Sequence, residues 1–118
     1  MKVIQTMVDV RALEKVERLP PFYLEEIKKQ FLMWYEAEND DEDIENFYLP
    51  SYACIYHFNH ENDLRMLQNY LNDIEYVDTE RINGIKYFRI GMMQDHQVSI
   101  IYFLESTLPF KTEKWLEN

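Results

Sequence analysis

Glycine is almost missing from this chain. Only Gly84 and Gly91 occur in 118 residues. None precedes Asn83, so there is no glycine-rich loop to cradle a phosphate and no EF-hand, whose calcium loop needs a glycine at its sixth position. Cysteine is rarer still. Cys54 stands alone, which excludes an internal disulfide, and no Cys/His cluster suggests a structural zinc site. A reducing cytoplasm is the simplest home for such a chain. Four prolines are too few for a Pro-rich linker, and no tract is of low complexity. Long apolar runs are absent too, so nothing reads as a membrane span. Met1 to Val10 is interrupted by Gln5, Thr6 and Asp9, unlike the continuous apolar stretch of a signal peptide.

The most informative absence is of positive charge. From Gln30 to Leu64 there is no Lys or Arg, while nine carboxylates fall there: Glu36, Glu38, Asp40, Asp41, Glu42, Asp43, Glu45, Glu61 and Asp63. Elsewhere thirteen acids face twelve bases, so nearly all of the net charge of −10 belongs to one region. With a pI near 4.6, direct contact with nucleic acid or an anionic membrane is not expected, because both are polyanions that attract Lys and Arg. The favoured partner is a larger protein with a basic surface.

What the chain does have is apolar and aromatic bulk. Hydrophobic residues make up 47% and aromatics 15%, enough for one real core, and a single domain over 1–118 is expected. Lys2 to Val10 alternates like a strand, and the alternative is that it runs on into a short helical turn through Ala12, Leu13 and Val16. Pro20-Pro21 stops the chain and Pro21 is placed to open a helix, whose face is Leu24, Ile27, Phe31, Trp34 and Tyr35. Four adjacent acids, Asp40 to Asp43, sit beyond the negative end of that helix dipole. The helix is therefore expected to end near Glu38 and Glu36–Glu45 to be a solvated loop. After Pro50, the run Tyr52 to Phe58 reads as a strand.

A second helix is expected from Asn59, with Leu64, Leu67, Tyr70 and Leu71 inward, closing at Asn72-Asp73. Ile74 to Ile82 and Ile85 to Met92 flank Asn83-Gly84, a strong hairpin signal. A turn at Gln94, Asp95 and His96 leads to Val98–Leu104, apolar on both faces and therefore a central strand. The tail, with Leu108, Phe110, Trp115 and Leu116, reads as docking on the body. The expected fold is α+β, two helices packed on a mostly antiparallel sheet of about five strands.

No catalytic motif is present. Cys54 and His57 would point to opposite faces of a strand, so they do not form a nucleophile and base with His60 and Glu61. The expected pattern is a buried cysteine beside a half-exposed histidine. Asp40, Asp41 and Asp43 offer ligand chemistry for a loose divalent ion, but no metal or other cofactor is assigned. Arg81, Lys86 and Arg89 read as cross-strand partners of Glu75, Asp78 and Glu80.

The candidate binding surface joins the acids Glu36, Glu38, Asp40, Asp41, Glu42, Asp43 and Glu45 to the aromatics Trp34, Tyr35, Phe47 and Tyr48. Carboxylates would steer a basic partner and aromatic rings would anchor it. A concrete version is an inhibitor that imitates the phosphates of a nucleic acid, of the kind phages and mobile elements encode. The plainer reading is a solvating acidic loop beside core aromatics. From another class comes a homodimer that holds a small ligand in a pocket of Tyr52, Tyr56, Tyr76, Tyr87 and Tyr102, with enzymatic activity open. A structural subunit whose sheet face is covered by a neighbour is a further alternative.

Overall fold

In a computed structural model, residues 2–16, 19–38, 42–58 and 68–104 are described. They form an α+β domain with two α-helices and one five-stranded mixed sheet. In chain order the elements are β1 (Lys2–Ile4), α1 (Met7–Leu13), α2 (Pro21–Glu38), β2 (Ala53–His57), a 3-10 turn (Gln68–Asp73), β3 (Ile74–Ile82), β4 (Ile85–Gln94) and β5 (Gln97–Leu104). The sheet runs β1-β2-β5-β4-β3. Only β2 and β5 are parallel; the other neighbours pair antiparallel.

The amino end departs from the alternating pattern. β1 stops at Ile4, and α1 begins at Met7, because Thr6 forms a capping box. Its Oγ1 accepts from the Asp9 N–H at 3.3 Å, and the Asp9 carboxylate accepts from the N–H of Thr6 at 3.1 Å and of Gln5 at 2.9 Å. These local bonds satisfy helix donors that a strand would have offered to a neighbour, and Met7, Val10 and Leu13 then fall on one buried side. Thr6→Ala is expected to cost about 1 kcal/mol, read as a drop of about 4 °C in Tm.

α2 follows the expected bounds. The Pro20 carbonyl accepts the first helical bonds, from the N–H groups of Tyr23 and Leu24. Tyr23, Ile27 and Phe31 are wholly buried along one side, whereas Trp34 and Tyr35 are half-buried. The last turn holds Glu36 and Glu38 and no basic residue.

The hairpin forms at Asn83-Gly84, both with positive φ, 53° and 80°, as a type I′ turn requires. Asp95 and His96 make the second tight turn, with φ of 49° and 67°. β5 is the middle strand and is buried on both sides. Ile100, Tyr102 and Leu104 join a core with α1, α2, β1 and β2 residues. Ile101 and Phe103 join a second core with Phe58, Phe88, Ile90 and Met92, in which the Phe88 and Phe103 rings stack at 4.6 Å. The expected second helix from Asn59 lies mostly outside the described residues, whose share of it is the 3-10 turn, and the tail from Glu105 lies wholly outside them. No described helix is long and apolar enough to cross a membrane.

Candidate interaction surface

The described residues that follow α2, 42–49, are fastened to the body. Where α2 ends, Tyr35 donates its hydroxyl to the Glu42 carbonyl at 2.6 Å and sets its ring edge-on to Phe47 at 5.0 Å. Glu42 to Tyr48 is held by a turn: Asp43 accepts from the N–H of Glu45 at 3.1 Å through its side chain and from that of Asn46 at 2.9 Å through its carbonyl. Phe47 and Leu49 are buried, at 3% and 2% exposure, and the Leu49 N–H bonds the Gln5 carbonyl at 2.9 Å. Apolar anchors beneath and hydrogen bonds above fix the backbone of residues 42–49 on the body.

Electrostatics follow from that geometry. Arg11 of α1 pairs with Glu45, which holds the Glu45 carboxyl below its usual range and raises the guanidinium. Tyr52 donates to Glu38, and that bond raises the Tyr52 phenol. Tyr48 donates to Gln5 at 2.7 Å. Glu36 and Glu38 lie at the carbonyl end of α2, where the helix dipole adds negative potential to theirs instead of offsetting it. That placement is adverse for the helix alone and favourable for attracting a cation.

The sequence candidates therefore separate. Glu36, Glu38, Glu42, Asp43 and Glu45 are exposed. Tyr48 is 58% exposed, while Phe47 belongs to the core and offers nothing to a partner. Asp40 and Asp41, and with them the loose divalent-ion site, lie outside the described residues. Tyr52, 51% exposed, joins this surface although the sequence assigned it to a strand. β2 starts one residue later, and a turn that bonds the Ala53 N–H to the Pro50 carbonyl at 2.9 Å leaves Tyr52 outward. Among the described residues no group of three or more His, Cys, Asp or Glu is placed to hold a metal.

Beneath α2 lies a polar row that sequence reading missed. His57, Tyr102, Arg89 and Asp78 stand side by side across four strands. His57 is 1% exposed, which corrects the expected half-exposed histidine. Its Nδ1 shares a 2.5 Å hydrogen bond with the hydroxyl of wholly buried Tyr23. Cys54 projects to the opposite face, with Sγ 3.2 Å from Gln97 Nε2. Arg89 pairs with Asp78 at 2.7 Å. The Tyr102 hydroxyl is buried with no hydrogen bond of good geometry among the described residues; burial raises its phenol, and the charge and weak polar contact of the adjacent Arg89 pull it back. Of the tyrosines expected to line a pocket, Tyr87 and Tyr102 are buried in the first core, Tyr56 packs against the second, Tyr52 is exposed and Tyr76 borders a groove.

That groove, of about 460 Å³, opens beside α2 and is bordered by Met33 and Trp34 of the helix, Glu75 and Tyr76 of β3, and Gly91 and Met93 of β4. A Cβ at Gly91 would overlap the Tyr76 ring, so a larger residue there would displace that ring. Compared with known proteins, the chain matches no family model, and no curated protein or solved structure resembles it significantly.

Proposed function

We propose that this protein is a small, non-enzymatic, cytoplasmic binding module that uses its acidic, aromatic surface on a larger protein with a basic groove. In its specific form the reading is an inhibitor that occupies the nucleic-acid site of that partner. The observation that carries it is the fastening of the acidic segment. The Glu38 and Glu45 carboxylates are tied to Tyr52 and Arg11, and the Glu42 backbone carbonyl to Tyr35, with the Tyr48 and Tyr52 rings exposed among them. A surface whose charges are already held in place loses less conformational freedom on binding than a mobile loop, and exposed tyrosines are favoured anchors. The lone buried cysteine suits a reducing compartment.

The test is retention from a lysate at two salt concentrations, with wild type beside a variant carrying Asp40→Asn, Asp41→Asn, Glu42→Gln and Asp43→Asn. The expected result is a nucleic-acid-binding protein held by wild type at low salt, released by high salt or by added oligonucleotide, and lost by the variant. Attraction between opposite charges is screened by salt, which fixes the direction. Equal retention of the same proteins by both forms would remove the acidic segment from the function.

A further inference from the structure

We propose that the groove beside α2 is an arginine-binding site, taking an arginine side chain of the partner with its guanidinium on Glu75 and against the rings of Trp34 and Tyr76. The proposal rests on the partner being basic, but it concerns residues other than the four acids neutralised above.

A local irregularity of the sheet brings the carboxylate to this groove. In a regular strand Glu75 and Tyr76 would point to opposite faces. Here the pairing of β3 with β4 shifts between Ile74 and Tyr76, so that Ile74 faces Met92 and Tyr76 faces Gly91, with Glu75 as the extra residue. A bulge of this kind re-aims a side chain, and Glu75 and Tyr76 border the same groove. Among the described residues of the lining, Glu75 is the one that carries a charge.

The remaining lining fits a cation on an apolar stem. Met33 and Met93 are 53% and 51% exposed, and their flexible thioether chains can lie along methylene groups. Trp34 and Tyr76 border the groove, and the face of an aromatic ring attracts a cation. Tyr76 keeps its place because Gly91 leaves room for its ring on the sheet. An anion would be repelled by Glu75, and a neutral apolar group would strip water from that carboxylate with no return. Arginine is preferred to lysine because a planar guanidinium can stack on a ring while bonding a carboxylate through two N–H groups. The groove exceeds one side chain in volume, so residues flanking the arginine enter with it.

The probe is N-acetyl-arginine methylamide, titrated while the assigned Trp34 indole and Glu75 amide signals are followed by NMR, beside the lysine and norleucine analogues. Saturable shifts at both positions are expected with arginine, weaker ones with lysine and none with norleucine. Glu75→Gln, an exposed conservative change whose fold is checked in the same spectra, is expected to weaken arginine binding about tenfold. No shift, an equal response to norleucine, or undiminished binding by Glu75→Gln would overturn the proposal. The variant neutralised at positions 40 to 43 is expected to bind the amide like wild type. Equal retention of the partner by wild type and this variant, with the arginine site intact, would therefore count against the acidic surface alone, and loss of the partner by the variant without any arginine binding would count against the groove alone.

Discussion

Tyr23→Ala is expected to be the most damaging single change, with a loss of about 3–5 kcal/mol, a large part of a small domain's stability. Tyr23 has no exposed surface. Its ring meets His57 at 5.4 Å, Tyr102 at 6.2 Å and Tyr87 at 6.3 Å, each edge-on, so it joins α2 to three strands at once. Tyr23→Phe keeps the ring and removes only the hydrogen bond to His57 Nδ1, and should cost about 1–3 kcal/mol because the freed group stays buried. Tyr102→Phe is the contrast. Among the described residues its hydroxyl has no hydrogen bond of good geometry, only a weak polar contact with the Arg89 guanidinium, so removing it should change stability by less than about 1 kcal/mol. Urea midpoints at constant slope separate the three. A Tyr102→Phe loss equal to that of Tyr23→Phe would show that the polar row is bonded in some other way.

The hairpin and the helix were legible because each has a local cause. Pro21 opens α2, Asn83-Gly84 suits the type I′ turn, and the two-sided apolar run of β5 demands a central place in the sheet. The amino end was misread as a strand to Val10 because alternation was weighed above the Thr6-to-Asp9 spacing, a capping signal that was present in the sequence. The parallel pairing of β2 with β5 could not be read from either strand. It depends on where the chain between them returns, which no local pattern encodes.

The candidate surface was legible as composition and not as geometry. Charge counting located the acids, and it could not tell that Phe47 turns inward while Tyr52 turns outward, since both lie in irregular segments without a periodicity to fix direction. The polar row was within reach. Once Asn83-Gly84 sets the register, Asp78 must face Arg89, as expected among the cross-strand pairs, and this pair is found. Its continuation to Tyr102 and His57 needed the strand order. The groove was beyond reach, because it depends on a bulge at Glu75 and on Met33 and Trp34 of α2 bordering the same space as β3 and β4 residues.

Alkaline pH should unfold this protein cooperatively, and the buried phenols give the sign. An unfolded tyrosine titrates near 10. Burial holds the Tyr23 phenol well above that value, with the neighbouring Tyr102 adding to the effect. Burial also raises Tyr102, against the pull of Arg89, and Tyr87, whose hydroxyl donates to Glu80 at 2.7 Å. On the second face burial and the nearby Cys54 push Tyr56 up to about 12. A group whose pKa is raised by folding contributes its full stability below the unfolded value and loses it as pH climbs toward the folded one. The window of loss therefore opens near pH 10, at about 1.4 kcal/mol for each unit by which a phenol is raised. Phenolate absorbance should show a gradual phase from surface tyrosines and then a steep one that coincides with loss of near-UV circular dichroism. Tyr102→Phe should remove one phenol from the steep phase and leave the gradual phase unchanged. If every tyrosine titrated gradually with the dichroism intact, water and hydroxide would have access to the cluster under α2, and the closed packing of Tyr23 against His57 and Tyr102 would not describe the protein in solution.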